Sequence, residues 1–82
     1  MNVKMYIKDY DTFKYVEQTC ERFNVCYEFF GIYNEDKKRT ATCTILKDIK
    51  NVAISNDNIK INFNDISIYI KISNVDGLII SK

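Results

Sequence analysis

Three cysteines and the absence of histidine limit the covalent and metal chemistry open to this chain. Cys20, Cys26 and Cys43 lie at irregular intervals and form no CxxC pair, the spacing typical of zinc knuckles and redox-active dithiols. Without histidine, no Ser-His-Asp triad, Cys-His pair or His-coordinated zinc site can form. The sequence therefore predicts reduced structural thiols, no metal, no cofactor and no enzyme activity.

The carboxylates and glycines give no stronger indication of catalysis. Most aspartates fall at predicted turns or at a helix start, where Asp hydrogen-bonds the backbone. A paired-carboxylate site, such as Asp48 with Asp65, is the weaker alternative. Gly31 and Gly77 are the only glycines, so no glycine-rich loop is present to hold phosphates.

An aromatic segment followed by a charged loop is the best candidate for a binding surface. Residues 25–33 (VCYEFFGIY) predict a strand with apolar side chains on both faces, whereas a half-exposed strand needs them on one. The strand is therefore either covered on both sides or exposes one face to a partner. The candidate partner-binding residues are Tyr27, Phe29, Tyr33, Glu35, Lys37, Lys38 and Arg39.

Nucleic-acid or nucleotide binding on a small barrel is the alternative for the same residues. Bases would stack on the three aromatic side chains while the basic cluster of residues 37–39 follows the phosphates. The chain carries 12 basic and 11 acidic residues, for a net charge of +1. A DNA mimic should be strongly acidic and a duplex binder clearly basic, so the sequence favours a protein partner.

One amphipathic helix near the start of the chain is predicted from its hydrophobic spacing. Residues 3–8 alternate as a first strand, and Asp11 or Thr12 then supplies a helix N-cap. Asn24 is a suitable C-terminal stop because it tolerates the left-handed conformation. The expected apolar stripe of the helix consists of Phe13, Val16, Cys20 and Phe23.

The rest of the chain predicts short strands separated by turns. Isoleucine alternates with polar residues over most of 52–72, which indicates half-buried sheet. The phase of this ladder breaks at 64–65, so we expect a tight reversal or a sharp bend there. Residues 74–77, with Asp76-Gly77 as the turn pair, are expected to close a last hairpin. Predicted strands after the aromatic segment span 40–46, 52–54, 59–63, 66–72 and 78–80.

Together these elements predict a single α+β domain over residues 1–82. One N-terminal amphipathic helix would pack on a bent antiparallel sheet or small barrel of about five to seven short strands, in the order β-α-β-β-β-β-β. Short turns between strands require antiparallel neighbours, since parallel ones need long crossovers.

Composition points to the cellular context. No run approaches the length of a membrane span, of about 20 apolar residues, and residues 1–8 are too short and charged for a signal peptide, so we expect a cytoplasmic protein without membrane contact. Abundant Asn, Ile, Lys and Tyr are encoded by AT-rich codons and suggest a low-GC genome. We predict a small non-enzymatic protein-binding module, such as a phage or mobile-element inhibitor of a host defence or nuclease complex with an anti-CRISPR-like role. A homodimer is the other expected assembly.

Overall fold

The computed structural model describes residues 1–82 and contains one α-helix and seven strands. A single 3₁₀ turn, Ile72–Asn74, precedes the last strand. The elements in chain order are β1 Asn2–Ile7, α1 Tyr10–Arg22, β2 Tyr27–Tyr33, β3 Arg39–Leu46, β4 Asn51–Ile54, β5 Asn58–Asn62, β6 Ser67–Lys71 and β7 Val75–Ser81.

The strands form two antiparallel sheets, which confirms the α+β class. The four-stranded sheet has the order β2-β3-β1-β7 and the three-stranded sheet the order β4-β5-β6. The sequence predicted one bent sheet or small barrel, whereas the structure separates two sheets. The helix is the second element after β1, which is the predicted β-α order. Period-2 alternation specifies strands but not which sheet each joins, since that depends on pairing between distant segments.

The helix begins one residue after Asp9, which is its N-cap in place of the expected Asp11 or Thr12. The Asp9 carboxylate accepts hydrogen bonds from the Thr12 backbone N–H at 2.9 Å and the Thr12 hydroxyl at 2.8 Å. These bonds stabilise the charged carboxylate and lower the pKa of Asp9. At the other end, Asn24 takes the left-handed conformation with φ of 55°, as the sequence predicted.

One hydrophobic core joins the helix to both sheets. Phe13, Val16 and Cys20 are buried as expected, but Phe23 is 47% exposed because it lies at the C-cap, where the helix ends. The isoleucine ladder is confirmed as scaffold. Its buried members are Ile59, Ile61, Ile68 and Ile70, which share one core cluster with Val3, Met5, Ile7 and Leu46.

The break in the ladder is also confirmed, whereas the predicted last hairpin is wrong. Phe63 N–H donates to the Ile66 carbonyl at 2.9 Å, closing a tight reversal between β5 and β6. The 3₁₀ turn then redirects the chain, so β7 leaves β6 and pairs antiparallel with β1. Gly77 therefore lies within β7 and not at a turn: a Cβ there would be 3.2 Å from Cδ2 of Tyr6, whose ring covers it.

Candidate protein-binding surface

The four-stranded sheet has one face in the core and one face without a covering element. Val3, Met5 and Ile7 of β1 are all buried on the inner side, and the residues between them point the opposite way. We define the outer face by this alternation and by the cross-strand registers. It consists of Asn2, Lys4, Tyr6, Glu28, Phe30, Ile32, Ala41, Cys43, Ile45, Ile79 and Ser81.

Apolar side chains run across all four strands of the outer face. Phe30 pairs with Cys43, which in turn pairs with Tyr6 on the adjacent strand. The Cys43 side chain is only 6% exposed because its two larger neighbours flank it. Phe30 is 52% exposed and Ile79 55%, so large apolar groups on both edge strands meet solvent.

Charged groups lie among and beside these apolar side chains with both signs. Lys47 Nζ lies 3.2 Å from Oε1 of Glu28, next to the β2 edge. Lys4 Nζ lies 5.9 Å from the centroid of the Tyr6 ring, within reach of a cation–π interaction. The surface therefore combines apolar side chains with two lysines and one glutamate.

Two of the predicted partner-binding residues, Tyr27 and Phe29, lie on the inner side. The Phe29 ring packs at 4.6 Å from Tyr27 and meets Phe13 edge-on at 4.9 Å, and both side chains are half-buried against the core. Burial is the main cause that raises the pKa of Tyr27. The structure thus exposes Phe30 and Ile32 in their place. Phe30 and Ile32 share one face of β2 by alternation, but alternation does not indicate which face is covered.

Tyr33 and Arg39 form a stacked pair at the end of the β2–β3 hairpin. The Arg39 guanidinium carbon lies 5.7 Å from the Tyr33 ring centroid, and Nη2 donates to the Tyr33 hydroxyl at 3.3 Å. Gly31 makes room for this pair, since a Cβ there would lie 2.8 Å from Cε2 of Tyr33. Arg39 is thus held against Tyr33, but it is exposed and presents positive charge at the hairpin end together with Lys37 and Lys38.

The remaining predicted residues lie at the exposed hairpin tip. Lys37 adopts a positive φ of 63°, and its N–H donates to the Asn34 carbonyl at 3.0 Å. The Asn34 side chain also accepts from Lys38 N–H at 3.0 Å. Glu35, Lys37 and Lys38 are all exposed, beyond the Ile32–Ala41 pair that ends the outer face. The tip is shaped by backbone turns and not by contact with the aromatic side chains.

Among the groups considered for catalysis, the three thiols differ in burial, and Asp48 and Asp65 share one cleft. Cys20 is buried in α1, and burial raises the pKa of its thiol to about 11; Cys26 is exposed and Cys43 lies in the outer face. Asp48 and Asp65 line the same shallow cleft as Cys26 and Lys47. No group of three Cys, Asp or Glu side chains is arranged to hold a metal ion.

Comparisons with known proteins assign no family to this chain. Protein families, curated proteins and solved structures give no significant match. The single helix lacks the length and apolar character needed to cross a membrane.

Proposed function

We propose that this protein is a small non-enzymatic protein-binding module whose partner docks on the outer face of the four-stranded sheet. The observation that carries the proposal is the exposure of Phe30, Ile32 and Ile79 on one uncovered face. Large exposed apolar side chains on one uncovered face are typical of protein interaction sites. Aromatic residues are also enriched at the centres of protein interfaces.

The side chains of the outer face indicate which kind of partner it would bind. A partner with a flat apolar patch would bury Phe30 and Ile32, which are the large side chains near the β2 edge. Glu28 and Lys47 lie beside this patch with opposite charges, so the partner need not be strongly charged. Such charges set orientation and specificity more than affinity.

We further propose a genetic source for this protein and a class of target that it inhibits. The source would be a phage or mobile element, and the protein would act in the bacterial cytoplasm. This is supported by the small size, the net charge of +1 and an amino-acid composition rich in Asn, Ile and Lys. Its target would be a protein of a host defence or nuclease complex, which it would inhibit by occupying a surface and not by catalysis.

Affinity capture with matched variants tests the proposal. The wild type, the double variant Phe30→Ser/Ile32→Ser and the control Tyr69→Ser are immobilised and exposed to extract of a low-GC bacterium. Tyr69 is a suitable control because it is 55% exposed on β6 of the other sheet. We expect a protein at stoichiometric yield with the wild type and the control, and its loss with the double variant.

Two outcomes would contradict the proposal. One is a partner that the double variant binds as well as the wild type does, since docking would then lie elsewhere. The other is the absence of any stoichiometric partner for all three proteins. Circular dichroism spectra must be the same for the three, which shows that the substitutions on these exposed positions leave the fold intact.

A further inference from the structure

The last strand, β7, is an open sheet edge whose second half lacks the usual protection against pairing. It stands at the end of the order β2-β3-β1-β7, and its central residues Leu78, Ile79 and Ile80 carry no charge and no proline. Natural proteins usually protect such edges with Lys, Pro or a bulge. The only irregularity of β7 lies before Leu78, so the apolar half of the strand remains regular.

The backbone groups that face this open edge follow from the hydrogen bonding of β1. Lys8 N–H donates to the Asn74 carbonyl at 3.2 Å, so the even-numbered residues of β1 point toward β7. Lys4 therefore bonds its register partner Ile79. Because backbone groups alternate along a strand, the N–H and C=O of Leu78 and Ile80 point away from β1 toward solvent.

We propose that a second copy of this chain pairs with β7 across a two-fold axis at Ile79. In this antiparallel register Leu78 faces Ile80 of the second copy, and each offers free backbone groups to the other. Ile79 faces its own symmetry mate on the outer side. Every member of the apolar triplet thus meets an apolar residue, and the two four-stranded sheets become one continuous sheet.

Charges at the two ends of the proposed β7–β7 pairing favour the same register. Asp76 precedes the apolar triplet and Lys82 follows it, so antiparallel pairing centred on Ile79 brings Asp76 near Lys82 of the second copy. Within its own chain, Asp76 has only Lys8 at 3.9 Å, with both side chains largely exposed. Such a pair contributes little to the fold, and Asp76 is free to interact with the second copy.

An apolar groove beside β7 accommodates the inner-side contacts of this pairing. Leu78 lies at one side of the groove, and Ile54, at the end of the β4 strand, is 59% exposed at another. In the proposed register Ile80 of the second copy lies next to Leu78, where its side chain can cover this groove. The groove is lined by Ile54, Ile59, Ile72, Val75, Gly77 and Leu78.

The dimer goes beyond the proposed function and does not depend on it. Pairing at β7 uses Ile79 of the outer face but leaves Phe30 and Ile32, which lie on the opposite edge strand, free to bind another protein. The continuous sheet would present two outer faces side by side. A partner with two copies of its own binding site would then be held more tightly through avidity.

Analytical ultracentrifugation tests the inference by measuring the mass in solution. At about 100 μM protein, a dimer of micromolar affinity is well populated. We expect the mass of two chains for the wild type and of one chain for Ile80→Pro. Proline at 80 removes an N–H that faces solvent in the single chain, so the β1–β7 hydrogen bonds remain. Asp76→Lys should weaken the dimer, and Asp76→Lys/Lys82→Asp should restore it.

The other outcomes each overturn the inference. A monomeric wild type excludes self-pairing. If the wild type is monomeric and Ile80→Pro no longer binds the protein found by affinity capture, the β7 edge pairs with a strand of that partner instead. A dimer that persists in Ile80→Pro places the interface elsewhere. A dimer insensitive to Asp76→Lys overturns the part that the Asp76–Lys82 pair is given in selecting the register centred on Ile79. None of these results depends on whether Phe30 and Ile32 bind a partner, so the two proposals fail separately.

Discussion

Phe13 of the helix and Phe29 of β2 meet edge to face, with their ring centroids 4.9 Å apart. This contact fixes the orientation of the aromatic strand, because side chains alternate between faces along a strand. Phe30, the next residue, must then point outward, where it is 52% exposed. Two adjacent phenylalanines therefore have different roles, one in folding and one at the proposed binding surface.

Alanine substitutions at these two positions should separate stability from binding. Phe29→Ala removes a ring that packs on Phe13 and Tyr27 and should lower the free energy of unfolding by about 2–4 kcal/mol. Phe30→Ala should lower it by no more than about 1 kcal/mol, since half of the side chain is already in water. Urea denaturation measures both values, and equal losses would contradict the assignment of faces.

Thr44 carries a polar group that the core does not satisfy. Its side chain is fully buried on β3, and Oγ1 has no hydrogen-bond partner. Valine has nearly the same shape without the desolvation cost of the hydroxyl, so Thr44→Val should stabilise the fold by about 1 kcal/mol. Thr42→Val, at the neighbouring inward position, is the matched control and should have a smaller effect. Destabilisation by Thr44→Val would show that the hydroxyl is bonded.

Cys20 should make stability fall in alkaline solution. Burial raises the pKa of its thiol from 9.0 to about 11, so the unfolded chain loses this proton at lower pH than the folded chain does. The associated stability is fully present below pH 9.0 and is lost as the pH rises toward about 11. Urea denaturation across this range should show a shallower decline for Cys20→Ala. Cys20 is the titrating group by which the two proteins differ. Identical slopes of unfolding free energy against pH would therefore exclude the effect.

Asp9 should give the opposite pH dependence in acid. Its pKa is lowered from 3.8 mainly by the hydrogen bond from the Thr12 side chain and also by the Thr12 backbone N–H. The stability from the charged cap is present above pH 3.8 and is lost as the pH falls through the lower pKa of the folded state. Asp9→Asn keeps an acceptor for the cap without a titrating group, so its thermal midpoint should decline less in this range.

Local patterns in the sequence predict the elements, whereas the pairing of distant strands is not encoded in them. Alternating isoleucines gave β5 and β6 and the reversal between them, because period 2 and turn residues act over short distances. The position of β7 in the sheet depends on its pairing with β1, which lies at the other end of the sequence. Asp76-Gly77 resembles a turn, yet Gly77 is needed because the Tyr6 ring lies over it.

The candidate surface was predictable only in part. The aromatic character of residues 25–33 indicated a strand with apolar groups on both faces, and the structure places such groups on both. The pattern alone could not choose the covered face, since Phe29 and Phe30 are the same residue type. That choice depends on Phe13, 16 positions earlier in the chain, which is tertiary information.

The affinity of the captured partner for Phe30→Ala and Tyr69→Ala tests the proposed binding surface most directly. Both residues are exposed aromatics, 52% and 55%, but they lie on different sheets. Isothermal titration calorimetry should show a loss of affinity of about tenfold or more for Phe30→Ala, as for a residue at the centre of an interface. Tyr69→Ala should stay within about twofold of the wild type. Equal affinities for the two variants, or a larger loss for Tyr69→Ala, would contradict binding through the outer face.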